Sequence, residues 1–153
     1  MANTFHQLYV QAVFAVKYRA SVIQPTWKKE FCGVIGNLIN ETGSKTIIVN
    51  GVEDHVHCFF SQIPRMSISD VMQHIKSRSS GWLNKTNYVK KRFEWQSGYG
   101  AFSYSHSAIK DVYRYIQRQE QHHQKQTFRS EYIELLERFC VEYDERYLFD
   151  DLI

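Results

Sequence analysis

Proline and cysteine are scarce in this 153-residue chain, and no long hydrophobic run is present. The three cysteines, Cys32, Cys58 and Cys140, are widely spaced and odd in number, which argues against a disulfide framework and favours a reducing compartment. No apolar run approaches the roughly 20 residues of a membrane span, and the N-terminus lacks a signal-peptide pattern. We therefore expect a cytoplasmic protein without a membrane partner.

What is present is the composition of an ordinary globular protein. Hydrophobic residues make up 43% of the chain and charged residues 23%, so we expect one domain covering residues 1–153. Apolar periodicity predicts a half-buried strand over 5–18, a helix over 26–42, strands over 45–50 and 54–60, a helix from Ser67 to about Asn84, a strand over 93–105, a helix from Ser105 or Ser107 to about Gln124, and a helix over about 130–140. The pair Asn50-Gly51 predicts a turn or bulge. This order predicts an α+β domain, a ferredoxin-like sandwich with an antiparallel sheet and additional helices.

The stretch 54–60 carries two histidines, His55 and His57. Residues two apart on a strand point to the same face, so both imidazoles project together, about 6.6 Å apart at the backbone. They can converge on one divalent cation if a third ligand comes from elsewhere, or they can be two partly buried histidines with no ligand. On the first interpretation they occupy a functional surface, and their replacement should cost little stability.

Charge is distributed unevenly along the chain. The C-terminal part, residues 131–153, carries eight acids and two bases, whereas residues 1–130 have a net charge of +9. A basic body suits a polyanion, although lysines and arginines can also simply solvate a surface. The bases that could contact phosphates are Lys76, Arg78 and Lys85 on or near the second helix, and Arg114 and Arg118 on the third.

The helix predicted over 107–124 presents two polar side chains that could act in a site. Tyr115 and Gln119 lie four residues apart and therefore share a face. The apolar stripe of this helix runs through Ile109, Val112, Tyr113 and Ile116, which predicts Tyr113 as the core tyrosine and Tyr115 as the one with a free hydroxyl. Gln119 offers a neutral oxygen to Mg²⁺ or Mn²⁺, but the helix can equally be an ordinary amphipathic one.

Four stretches in this order give the chain a family resemblance: residues 54–57, 68–80, 93–103 and 115–123. Together they resemble the HUH-type single-tyrosine transposases of the smallest bacterial insertion sequences, over roughly residues 4–147. By resemblance, His55, His57 and Gln119 are metal ligands and Tyr115 is the nucleophile. The family implies metal-dependent cleavage and rejoining of single-stranded DNA through a 5′-phosphotyrosine. It also implies binding of DNA hairpins by a homodimer whose active sites are shared between protomers.

Three other interpretations are consistent with some of these sequence features. The protein could be a domesticated relative that acts on palindromic repeats, like the REP-associated tyrosine transposases. It could be a non-catalytic single-strand nucleic-acid binding protein, although all four candidate site residues are present. A structural metal site is the weakest alternative, since two histidines and a glutamine make a poor closed site compared with cysteine-rich sets.

Overall fold

The computed structural model of the protein describes residues 4–144, 146 and 148. The strands are β1 (Tyr9–Ala15), β2 (Lys45–Val52), β3 (His55–Ser61) and β4 (Gly100–Tyr104). The helices are α1 (Pro25–Glu41), α2 (Ile68–Asn84), α3 (Ile109–Gln117), α4 (Gln119–His123) and α5 (Phe128–Arg138), and short 3₁₀ turns occupy Lys17–Arg19 and His106–Ala108. None of the described helices is long and apolar enough to cross a membrane.

The four strands form one antiparallel sheet in the order β2-β3-β1-β4. The chain order β1-α1-β2-β3-α2-β4 with this sheet is that of a ferredoxin-like sandwich. The predicted α+β class is therefore confirmed.

Both faces of the sheet are covered. One face packs Val10, Ala12 and Phe14 of β1 and alternate residues of β3 against α1 and α2. On the other face, Val13 and Ala15 contact α5, and Phe59 contacts α3. The expectation of a half-buried first strand was therefore wrong, because the helices after β4 fold back over its second face.

Local capping signals locate two of the helices well. Pro25 is the first residue of α1, where its fixed φ and missing N–H are tolerated. The side-chain oxygen of Ser67 accepts a hydrogen bond from the Asp70 backbone N–H at 3.0 Å and begins α2, as predicted.

Other local signals were overridden by tertiary contacts. Asn50 and Gly51 lie within β2 and not in a turn. A side chain at Gly51 would clash with the carbonyl oxygen of His55 on the neighbouring strand, so the glycine permits close strand approach. The helix predicted to reach Gln124 is interrupted at Arg118, and the last helix begins at Phe128, two residues earlier than predicted.

Tyr113 is not the core tyrosine of α3. Its side chain is 39% exposed, whereas Val112 and Ile116 are buried against Phe59. The prediction was wrong because α3 contacts the sheet along a narrow stripe, and Tyr113 lies outside it.

Candidate active site

The two histidines of β3 lie on the sheet face opposite Val56, as the strand alternation predicts. Both imidazoles are fully buried, and their ring centroids are 5.3 Å apart. The ring of Phe128, the first residue of α5, stacks on His55 with a centroid distance of 3.9 Å. This face is thus the floor of a closed site and not an open surface.

A carboxylate that sequence reasoning missed lies at the centre of the site. Glu131 is 1% exposed, and its Oε1 atom lies 3.4 Å from His55 Nε2, 3.1 Å from His57 Nε2 and 3.0 Å from His123 Nε2. From the sequence, Glu131 is one of the acidic residues of the C-terminal part, and nothing in its local pattern connects it or His123 with the histidine pair. The missed signal was positional, because Glu131 shares the apolar face of α5 with Phe128, Tyr132 and Leu135.

The predicted nucleophile and amide ligand reach the same carboxylate. Gln119 is fully buried; its Oε1 atom lies 3.3 Å from His55 Nε2, and its Nε2 donates to Glu131 Oε2 at 3.2 Å. The Tyr115 hydroxyl donates a hydrogen bond to Glu131 Oε2, so it is not free as we had expected. The structure thus brings all four predicted site residues together within one chain.

The histidine and carboxylate atoms have a spacing that suits a cation. One ligand atom from each of His55, His57 and Glu131 can be chosen so that all three lie within 4.8 Å of one another. His55 also has an outer partner, because its Nδ1 lies 2.7 Å from Asp54 Oδ1. Such a carboxylate fixes the ring so that Nε2 faces the metal position.

The electrostatics of the site favour a charged carboxylate. Burial opposes ionisation of Glu131, but hydrogen bonds from His123, His55 and His57 outweigh it and hold the pKa of the carboxyl well below its ordinary value. Burial likewise works against the charged form of His55, yet Asp54 and Glu131 raise its pKa above the usual range. Burial dominates at His57 and lowers its pKa, despite the opposing Glu131.

The tyrosine hydroxyl is held in its neutral form. Burial and then the negative charge of Glu131 raise the pKa of Tyr115 well above its ordinary value. In this arrangement Tyr115 acts as a donor to the carboxylate, and its activation requires a positive charge nearby or an acceptor for its proton.

A cavity of about 350 Å³ opens beside the tyrosine. It lies between the sheet, α3 and α5, and its lining includes Gln11, Tyr104, Tyr115 and Glu131. Tyr115, the predicted nucleophile, therefore borders a space that a substrate group can enter.

The predicted phosphate-contacting bases have different environments. Lys76 Nζ donates to the backbone carbonyls of Gln96 and Gly98, at 2.7 Å each, and burial lowers its pKa. Arg78, Lys85, Arg114 and Arg118 are exposed, and none forms an ion pair with another described residue. Lys76 thus secures the segment before β4, while the other four are open to solvent.

Comparisons with known proteins bear on the family and on the fold. The family model described as "Transposase IS200 like" matches residues 4–119. No curated protein matches the chain. A crystal structure of a protein assigned as a transposase, from Deinococcus radiodurans R1, is 18% identical, covers 78% of this chain and 95% of its own, and superposes with a TM-score of 0.63.

A second solved structure is a REP-associated tyrosine transposase bound to a REP hairpin. It is 12% identical, covers 82% of this chain and 72% of its own, and gives a TM-score of 0.55. At these identities the two structures establish the shared fold, and the family model establishes membership. The chain belongs to the family of IS200-like transposases.

Proposed function

We propose that this transposase cleaves and rejoins single-stranded DNA through a 5′-phosphotyrosine formed on Tyr115. One observation carries the proposal: the Tyr115 hydroxyl and the imidazole of His57 contact the same buried carboxylate, Glu131. A nucleophile next to a pair of histidines on a strand is the combination that phosphoryl transfer by this route requires.

The donor atoms fit Mg²⁺ or Mn²⁺. His55 and His57 would hold the ion through Nε2, with an oxygen from Gln119 or Glu131 as third ligand. Bound there, the ion supplies positive charge that polarises the scissile phosphate. The family resemblance favours Gln119, whose Oε1 lies 3.3 Å from His55 Nε2, whereas Glu131 Oε1 lies near Nε2 of both histidines, at 3.4 and 3.1 Å.

The chain's own residues would handle the proton. Glu131 Oε2 already accepts the Tyr115 hydroxyl hydrogen and orients the hydroxyl, and because the pKa of this carboxyl is low, it would pass the proton on to water as the tyrosine oxygen bonds to phosphorus. The bond between phosphorus and the 3′-oxygen of the preceding nucleotide breaks, and that oxygen leaves as a hydroxyl after taking up a proton from water. Attack by a 3′-hydroxyl on the phosphotyrosine reverses the step and joins strands without a nucleotide cofactor.

DNA must displace part of the protein to reach the imidazoles. Both histidines have no exposed surface, and the covering side chains belong to α4 and α5. We infer that the site opens when either segment shifts away from β3.

DNA hairpins and a homodimer complete the proposal. The structural relative bound to a REP hairpin supports hairpin recognition, and the exposed Arg78, Lys85, Arg114 and Arg118 can contact phosphates. Within one chain Tyr115 already lies beside its own histidine pair, so sites shared between protomers would require the α3–α4 segment to exchange. Action in the cytoplasm follows from a DNA substrate.

The test is adduct formation. The protein is incubated with single-stranded insertion-sequence ends and Mg²⁺ or Mn²⁺, and a denaturation-resistant protein–DNA species is sought on a gel. We expect an adduct with wild type and with Tyr113→Phe, and none with Tyr115→Phe, which should still bind the hairpin. An adduct that persists in Tyr115→Phe and disappears in Tyr113→Phe would show that the wrong tyrosine was chosen.

The REP-type role is a second candidate, favoured by the hairpin-bound relative. A mobile element would occur in several genomic copies, each flanked by end hairpins. A domesticated enzyme would be a single gene among dispersed palindromes and would cleave those palindromes in the same assay. A protein that binds both DNAs and forms no adduct with either would support the non-catalytic alternative.

A further inference from the structure

A chain of hydrogen bonds approaches His57 from the side opposite Glu131. The Tyr104 hydroxyl donates to Gln11 Oε1 at 2.7 Å, and Gln11 Nε2 lies 2.9 Å from His57 Nδ1. Beyond the ring, His57 Nε2 lies 3.1 Å from Glu131 Oε1. Gln11 and His57 are fully buried, while Tyr104 is half-buried and lines the cavity beside Tyr115.

All three hydrogen bonds run in one direction. Because Gln11 presents its amide N–H to Nδ1, the neutral His57 ring must carry its hydrogen on Nε2 and donate it to Glu131. In this tautomer Nε2 has no free lone pair to offer a cation. The side chain of Gln11 therefore holds His57 in the form that suits the carboxylate.

Metal ligation through Nε2 requires the opposite direction. His57 must then carry its hydrogen on Nδ1, and its neighbour must accept it. The oxygen and nitrogen of a glutamine amide are nearly equal in size, so a half-turn of the Gln11 amide supplies that acceptor. After this turn the Gln11 N–H group points at the Tyr104 oxygen, and the Tyr104 hydrogen is released from Gln11.

His55 differs from His57 in this respect. Its Nδ1 faces the Asp54 carboxylate, which can only accept, so the neutral ring always offers Nε2 to the site. Of the two histidines on β3, only His57 has an outer partner that can reverse its role.

We propose that Gln11 is a positioning residue whose amide turns when the metal binds, and that Tyr104 then donates its hydroxyl hydrogen into the cavity where DNA enters. The proposal rests on the metal site of the proposed function. It links occupancy of the cation site to the polar lining of the cavity without moving any backbone segment.

The tautomer of His57 can be measured directly in the intact protein. Two-dimensional ¹H–¹⁵N spectra through the imidazole ring should show the hydrogen on Nε2 in the metal-free protein and on Nδ1 after Mg²⁺ is added. His55 should carry its ring hydrogen on Nδ1 in both states, or on both nitrogens where it is charged. A metal-free His57 with its hydrogen on Nδ1 would contradict the proposal.

Substitution of Gln11 tests its role in metal binding. Gln11→Met keeps the length of the side chain and removes both polar atoms, so Mn²⁺ affinity measured by electron paramagnetic resonance should fall about 10- to 100-fold. The control is Gln62→Met, which removes a buried glutamine whose hydrogen bonds go to the carbonyls of Ile63 and Met66. Equal Mn²⁺ affinities in wild type and Gln11→Met would refute the positioning role.

A second variant covers the case in which Gln11→Met does not fold. In its ionised form the side chain of Gln11→Glu presents only acceptor oxygens, so at a pH where this carboxyl is ionised the metal-free ring of His57 should already carry its hydrogen on Nδ1. A hydrogen that remains on Nε2 alone in this variant would overturn the proposal.

The connection to DNA is tested with Tyr104→Phe. In wild type, Mg²⁺ should raise the affinity for single-stranded DNA. In Tyr104→Phe this increase in affinity should be smaller by about two- to tenfold, because one neutral hydrogen bond to DNA is lost. Tyr9→Phe is the control, because Tyr9 pairs with Tyr104 across the sheet and its hydroxyl is not part of the chain of hydrogen bonds. If Mg²⁺ raises the DNA affinity of Tyr104→Phe as much as that of wild type, Tyr104 does not connect the metal site to DNA binding.

These readouts separate the inference from the proposed function. If His57 changes tautomer with Mg²⁺ while no DNA adduct forms, the cleavage activity is wrong and the role of Gln11 stands. If the adduct forms while the His57 tautomer does not depend on Gln11, the cleavage activity stands and the proposed role of Gln11 is wrong.

Discussion

Glu131 is the side chain on which the site converges. One carboxylate contacts His57, His123 and the Tyr115 hydroxyl by hydrogen bonds and His55 at 3.4 Å, and these contacts outweigh the cost of burying its charge. In the proposed function its two oxygens would have separate roles, Oε1 as a candidate metal ligand and Oε2 as the acceptor of the Tyr115 hydrogen.

We expect Glu131→Gln to remove the negative charge while keeping the packing of the side chain, since the amide has the same shape as the carboxylate. If Glu131 is the third ligand, Mn²⁺ affinity measured by calorimetry should fall at least about tenfold, and more than in Gln119→Ala. Adduct formation should also slow. The matched control is Glu134→Gln, an exposed glutamate on the same helix. A larger loss of affinity in Gln119→Ala would identify Gln119 as the ligand.

Replacement of His57 should cost stability. The sequence predicts that this residue lies on a functional surface, where its replacement would cost little stability. In the structure the ring is fully buried and hydrogen-bonded at both nitrogens. His57→Ala leaves the Nε2 donor of Gln11 without its partner and removes one of the donors to Glu131, and an orphaned buried group costs about 1–3 kcal/mol. Thermal unfolding should report a lowered Tm. An unchanged Tm would mean that the site is open in solution.

At the scale of secondary structure, the tyrosine-bearing segment is fixed by its neighbours. Asn50 Nδ2 on β2 donates to the carbonyls of Ile116 and Gln117, at 2.9 and 3.2 Å, where α3 ends. Lys28 on α1 pairs with Glu120 on α4. These contacts hold Tyr115 and Gln119 over the histidine strand, although the helix is interrupted between them.

The Asn50 contact can be tested by substitution. Asn50→Ala removes the donor to the last carbonyls of α3, which should lower the free energy of unfolding by about 1 kcal/mol and reduce the rate of adduct formation. Asn37→Ala is the control, because Asn37 is an exposed asparagine on α1. Equal adduct rates in the two variants would show that Asn50 does not position the tyrosine.

Sequence reasoning succeeded where the cause is local and failed where it is tertiary. Ser67 and Pro25 mark helix starts through their own backbone, and the pair His55 and His57 follows from strand alternation. Gly51 was misassigned because the close approach of β3, and not a turn, requires it. Glu131 was missed because its partners lie on another element, 74 residues earlier at His57.

At the scale of the whole molecule, charge should govern DNA affinity. The basic body carries a net charge of +9 over residues 1–130, and about six phosphate contacts would give a slope of log affinity against log salt of roughly −4 to −5. Lys76 is committed to two backbone carbonyls, so the exposed Arg78 and Lys85 are the better residues to neutralise.

We expect Arg78→Gln with Lys85→Gln to weaken binding of all single-stranded and hairpin DNAs alike. The slope measured by fluorescence anisotropy should flatten by about 1.4 to 1.8, since each contact contributes about 0.7 to 0.9. Lys45→Gln with Lys125→Gln makes the same charge change at exposed positions outside the proposed surface. The same flattening in that control would mean that only net charge matters.

The buried histidine strand also has a consequence for how the protein is made. His57 is synthesised 74 residues before Glu131, the residue on the helix that covers it. At about 5–20 residues per second, the ribosome leaves roughly 4–15 s between the two. During that interval β3 can pair with β1 and β2, yet its two imidazoles stay open to water and to any metal ion in solution. In the proposed function a metal could thus bind before α5 docks, at a stage when neither α4 nor α5 has to shift away from β3.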